Sequence, residues 1–142
     1  MAACVVDVRY EGSEWTMVTW DDMSSEALRA AKTLLKEECY RGCVSRAYYS
    51  AYCAAADRLV GKGVRFRHGW QNPAHEQLPD LIRTRFVGIS RADLWELIKT
   101  IRRLRIQRTD ADYRPRVNVD LSFARNALRD ASYFRRMLER LP

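Results

Sequence analysis

SRAYYSAYCAAADRLV, residues 45–60, decides how the chain folds. At 3.6 residues per turn its apolar side chains, from Ala47, Tyr48 and Tyr49 through Ala51, Tyr52 and Cys53 to Ala54, Ala55 and Ala56, wrap most of a helix circumference. A helix apolar on nearly every side is buried among neighbours rather than laid along one surface. The alanines let other helices come close, while the tyrosines fill space and need partners for their hydroxyls. The helix is predicted from about Arg41 to Val60, with Gly61 and Gly63 as breakers. Arg46 and Ser50 are its polar passengers, and burial would oblige each to find a partner.

The segments on either side supply the neighbours. Upstream, Ser24 or Ser25 is read as the cap of a first helix with Glu26 in its opening turn, apolar at Leu28, Leu34 and Leu35. Downstream, Asn72-Pro73 is predicted to open a third helix reaching Phe86, kinked or split at Pro79. A fourth runs from a Ser90 cap towards Asp112 and stops before Arg114-Pro115, and Asp120 or Asn118 opens a last helix to the C-terminus. The expectation is an all-α fold, an up-and-down bundle of about five helices over residues 24–142. Residues 1–23 read differently. CVVDVRY and EWTMVTW flank the turn-like EGSE, which suggests a short β-hairpin or extended arm anchored by Trp15 or Trp20.

Composition sets the outer limits. A chain of 142 residues suits one domain that needs no metal or disulfide to close its core. Nothing approaches the ~20 apolar residues of a membrane span, and no secretory pattern opens the chain, so a cytoplasmic protein without membrane contact is expected. Among the four cysteines, Cys39 and Cys43 with His68 and His75 could be drawn as a zinc site, but the spacing matches no common zinc module. Reduced, mostly packed cysteines and no cofactor or metal are the expectation.

Charge is the functional lead. Residues 1–98 balance 13 basic against 13 acidic side chains, whereas residues 99–116 carry seven against two and residues 117–142 five against three. The net charge of +7 is therefore gathered on RRLRIQRTDADY, residues 102–113, and on the C-terminal residues beyond it. A concentrated positive field attracts phosphates. On the fourth helix the stripe Leu94, Ile98 and Ile101 continues at the same three- and four-residue steps into Arg105, Arg108 and Asp112. A solvated basic face would lie opposite the apolar one. Two readings stay open here: an ion network tying Asp112 to Arg108 or Arg46, and a phosphate pocket in which guanidinium forks of Arg105 and Arg108 grip oxygens.

Two motifs together resemble the HEPN domain family of prokaryotes. RAYYSAYCAAADRL, residues 46–59, is similar to that family's second-helix signature, and RTDADY, residues 108–113, resembles the Arg-x-x-Ala-Asp-Tyr ending of a small stand-alone branch. The resemblance spans about residues 24–140. It implies a helical bundle that dimerises through its central helices and serves toxin–antitoxin or antiviral defence systems, often beside a nucleotidyltransferase that in some pairs modifies a tyrosine of its partner. Active members cleave RNA without metal, using an arginine followed after four to six residues by a histidine. No histidine follows Arg105 or Arg108 in this chain, and Asp112 stands close to where it belongs. A carboxylate beside an arginine is a poor proton donor at neutral pH.

Carried over position by position, Arg108, Asp112 and Tyr113 occupy the catalytic region, with His75 as a substitute base from another element. Arg102, Arg105, Arg108 and Arg46 are the candidate RNA or phosphate contacts. Three functions are compatible with these residues: a non-catalytic homodimeric partner of a nucleotidyltransferase or defence effector that binds RNA or nucleotide, a metal-independent endoribonuclease with a degenerate site, and a helical scaffold that RTDADY merely locks. Whether the chain is an enzyme is left open by its residues, with the missing histidine favouring the first.

Overall fold

Residues 17–66 and 71–142 are described by a computed structural model. Cys4, Trp15, His68 and the first predicted strand lie outside the described residues. Among those described there are five α-helices and no strand: α1 Trp20–Lys36, α2 Tyr40–Gly61, α3 Leu78–Arg85, α4 Arg91–Tyr113 and α5 Leu121–Glu139. The fold is the expected all-α bundle.

The first helix starts earlier than the serines suggested. Thr19 is the N-cap: its Oγ1 accepts from the Asp22 amide at 3.1 Å, and the Asp22 carboxylate accepts from the Thr19 amide at 2.8 Å. This reciprocal pair satisfies two otherwise orphaned amides. Residues 20–23, assigned to the arm by sequence, are therefore helical, and Trp20 packs edge-on to Tyr52 with ring centroids 6.2 Å apart. Ser24 is a fully buried helix–helix contact instead of a cap. Its Oγ donates to the Ser50 carbonyl at 2.7 Å, and Ser50 Oγ donates to the Ser24 carbonyl at 2.8 Å. That exchange is the partner Ser50 required.

α2 meets each of the other four helices and forms the axis of the core. Ala47, Ala51, Ala55 and Leu59 are wholly buried along it, facing Ala31 of α1 and Ala124, Ala127, Ala131 and Phe134 of α5 within the same cluster. α1 and α2 are joined by only Glu37–Cys39, which makes them antiparallel neighbours. Two further ties fix α5. Arg103 on α4 donates to Asp130 at 2.8 Å, and the Arg58 guanidinium of α2 donates to the carbonyls of Leu138 and Leu141 at the α5 C-terminus.

The third helix is shorter than predicted. It begins at Leu78, with Pro79 buried in its first turn, and residues 75–77 form a turn ahead of it. Proline has no amide to donate to the carbonyl four residues back, and its ring clashes there, so a helix cannot pass from Pro73 through Pro79. Proline in the first turn costs nothing, because that amide has no helical acceptor. Asn72 is accordingly no cap: its side-chain amide donates to the Tyr52 hydroxyl at 3.1 Å. The caps at Ser90 and Asp120 and the stop at Gly61–Gly63 are where the sequence placed them.

Candidate functional site

The α4 core line is Leu97, Ile98, Ile101, Leu104 and Ala111, all buried, with Leu94 partly so. Arg108, four residues after Leu104 and three before Ala111, occupies that line half-buried, and Arg105 sits half-buried to one side of it. The stripe therefore continues into Arg108 as the spacing predicted, with the arginine stem packed and its head reaching out.

Arg108 donates from Nε to Asp112 Oδ2 at 2.9 Å, and Ser45 of α2 donates to the same oxygen at 3.1 Å. The Arg108 guanidinium carbon also lies 5.9 Å from the Tyr48 ring centre and 5.4 Å from that of Tyr113. Asp112 thus joins α4 to the start of α2. Tyr113 is 67% exposed at the end of α4. Arg46 takes no part: it is exposed on another face of α2, stacked 4.7 Å over Tyr49 beside Met23 and Glu26 of α1. The predicted set of four arginines therefore separates into Arg102, Arg105 and Arg108 on α4, with Arg46 apart.

His75 lies on the turn before α3, and the structure brings it to the arginines. Its Nδ1 is 2.7 Å from the Tyr48 hydroxyl, and its ring stacks on Tyr52 with centroids 4.4 Å apart. Burial, then the charges of Arg108 and Arg105, push His75 below its ordinary 6.5. Burial pushes the Tyr48 phenol up to about 12 against those same arginines. Both effects favour a neutral imidazole that accepts the Tyr48 proton at Nδ1 and carries its own proton on Nε2.

A pH dependence results, with a definite sign. Because the folded-state pKa of His75 is depressed, the unfolded chain binds this proton more readily, and stability falls as pH drops from the ordinary value of 6.5 towards the folded value. Urea midpoints measured between about pH 7 and about pH 5 should decline, and His75→Gln should remove part of that decline. An equal decline in both proteins would mean that other groups account for all of it.

Between α3 and α4 lies a depression of about 370 Å³. Arg102, Arg105 and Arg114 line one wall from the α4 side and Glu76 and Asp80 the other from the α3 side, with Ile106, 61% exposed, also in the lining. Sequence reasoning passed over Ser45 and Tyr48 as site residues. Ser45 has no local mark, and Tyr48 was read as core, which it is at 2% exposure, although its hydroxyl reaches the site. Among the cysteines, Cys43 and Cys53 are buried free thiols and Cys39 is exposed.

The family model for the HEPN domain matches residues 17–141, nearly the whole chain and all five helices. The chain belongs to the HEPN family. No curated protein matches it. The match begins just ahead of the Thr19 cap, so α1 counts as HEPN structure from its first turn. Within this HEPN domain, the fourth helix carries an Arg108–Asp112 pair, and the nearest described histidine comes from the loop before α3. No helix among the described residues is long and apolar enough to cross a membrane.

Proposed function

We propose that this HEPN protein is a non-catalytic, homodimeric component of a prokaryotic toxin–antitoxin or antiviral defence system, partnering a nucleotidyltransferase or effector and binding RNA or nucleotide phosphates through α4. The observation that carries the reading is the combination at the end of α4. Arg102 and Arg105 border an open depression, while Arg108 is engaged by a carboxylate close to where an active member is expected to carry histidine. Guanidinium forks bind phosphate oxygens in two places at once, so this wall suits a phosphate ligand. The Asp112 carboxylate is engaged by Arg108 and Ser45 and α4 carries no histidine, which supports binding without cleavage.

The test is titration of purified protein into fluorescently labelled RNA with EDTA present, read by anisotropy and by gel for cleavage. Arg102→Ala with Arg105→Ala should weaken binding by at least about tenfold, with the RNA left intact, since each charge-assisted contact is worth about 1.5–3 kcal/mol. Binding unaltered by the double substitution would sink the α4 assignment. Homodimerisation is tested by light scattering of the same sample, where a monomer at micromolar concentration removes that part.

A second reading, a metal-independent endoribonuclease, is favoured by one observation: neutral His75, held by Tyr48, stands within the electrostatic reach of Arg105 and Arg108. In the other tautomer, with Nδ1–H donating to the Tyr48 oxygen, Nε2 is free to take a ribose 2′-hydroxyl proton while an arginine offsets phosphoryl charge. Cleavage in EDTA that disappears in His75→Ala and Arg108→Ala, both verified as folded, would establish this reading over the first.

A further inference from the structure

The positive charge beyond RRLRIQRTDADY gathers on the outer face of α5. Arg125, Arg129, Arg136 and Arg140 are all exposed, and their spacing of four, seven and four residues keeps them in one row, with Ser132 filling the gap. At 1.5 Å per residue the row extends about 22 Å. Tyr133, 39% exposed, flanks it one turn from Arg129 and Arg136, and Asn126 is exposed beside Arg125 and Arg129.

A row of this kind is ordinarily a solvated face balanced by acids at helical spacing. Some exposed cations elsewhere are balanced in that manner, Arg83 with Asp80, Lys99 with Glu96 and Arg114 with Asp110, while others, such as Arg29, Lys32 and Arg85, have no ion-pair partner among the described residues either. Among the described residues none of the four α5 arginines has an ion-pair partner. Of the other acids, Asp130 is taken by Arg103, and Glu139 lines a depression with Asp57 and Arg135 on the α1–α2 side. Asp120 borders a depression with Arg125 and Arg129, but it caps the helix by accepting from the Phe123 amide at 2.9 Å and forms no ion pair with either.

We infer that the outer face of α5 is a docking track for single-stranded RNA. Four unneutralised guanidiniums over such a length suit a polyanion rather than a single phosphate or carboxylate. The half-exposed phenol beside the row adds a surface on which a base can stack, which favours a single strand over a duplex held by its backbone. Asn126 adds a group able to donate to and accept from a base edge. This track lies on a different helix from the Arg102–Arg105 wall, which opens towards α3, and it does not depend on what that wall binds.

The test uses the full chain and a labelled uridine homopolymer of about 20 nucleotides, titrated at several salt concentrations. A variant carrying Arg125→Gln, Arg129→Gln, Arg136→Gln and Arg140→Gln should bind at least tenfold more weakly, and its slope of log affinity against log salt should be shallower by about 3, at roughly 0.7 per phosphate released. Tyr133→Ala should lose about tenfold through stacking, with the salt slope unchanged. These side chains are exposed at the surface, so thermal melts should show both variants folded. Wild-type affinity in the four-Gln variant overturns the track. Equal binding of heparin and RNA together with an indifferent Tyr133→Ala also overturns it, leaving a generic polyanion patch. The Arg102→Ala, Arg105→Ala protein in the same titration separates the outcomes, because binding lost there and kept in the four-Gln variant would sustain the α4 assignment and reject this one.

Discussion

Tyr52→Ala should cost the fold about 4 kcal/mol, a large share of what holds a domain of this size together. The side chain is 2% exposed and stands where three elements meet. Trp20 of α1 meets its ring edge-on, Tyr49 stacks at 6.0 Å, and the His75 ring stacks at 4.4 Å. Its hydroxyl donates to the Pro73 carbonyl at 2.6 Å and accepts from Asn72 at 3.1 Å. Truncation removes a large apolar ring from a close-packed centre and leaves the carbonyl without its donor. Tyr52→Phe separates the two contributions, since it keeps the ring and loses only the hydroxyl, for about 1 kcal/mol. Urea unfolding of both variants checks the expectation. A loss in Tyr52→Ala no larger than that in Tyr52→Phe would mean that the ring packs loosely. The consequence extends to the site, because the ring and its two hydrogen-bonding partners set the path of the chain that delivers His75 to Tyr48.

That path marks the boundary between what local sequence encodes and what it does not. The caps at Ser90 and Asp120 each satisfy an amide three residues away, and Gly63 at φ 73° supplies a left-handed residue just past α2. Such features are complete within a few residues, and they are legible in the sequence. The Ser24 hydroxyl could have capped a helix by the same chemistry, but it is spent on Ser50, 26 positions away. Nothing local distinguishes the two uses. At the candidate site, the i, i+4 pairing of Arg108 with Asp112 is a property of one helix and was readable as an open possibility. The assignment of Arg46 to the same group failed because facing directions on two helices depend on how they are rotated against each other. The approach of His75 to Arg105 and Arg108 depends on a turn segment, and no helical or strand period reports where a turn goes.

Arg41 shows the same limit more sharply, and its removal is the second large effect. It stands in the first turn of α2, yet its guanidinium donates to five backbone carbonyls at the far end of α4 and beyond. Nη1 reaches those of Asp110 at 3.2 Å, Ala111 at 2.8 Å and Arg114 at 3.2 Å, and Nη2 reaches Pro115 at 3.2 Å and Val117 at 2.6 Å. The last carbonyls of any helix lack intrahelical partners, and a cation there also opposes the negative end of the helix dipole. One side chain therefore terminates α4, shapes the turn into α5 and holds RTDADY against α2. Arg41→Ala should lower stability by about 3 kcal/mol, given about 1–3 kcal/mol for each buried acceptor left unpaired and the exposure of part of the set to water. Arg41→Lys should recover only a minor fraction, because a single ammonium cannot span carbonyls on two sides as a planar fork does. Hydrogen exchange adds a readout that overall destabilisation does not supply. Amides from Asp112 to Val119 should lose protection in Arg41→Ala before those in the middle of α2 or α5. Uniform loss across all helices would assign Arg41 to the stability of the whole bundle instead of the end of α4. In the localised case Asp112 and Tyr113 lose their fixed positions, and RNA affinity at the Arg102–Arg105 wall should change far less than the order of the Arg108–Asp112 pair, since Arg105 and Arg102 lie about two and about three turns further into the helix.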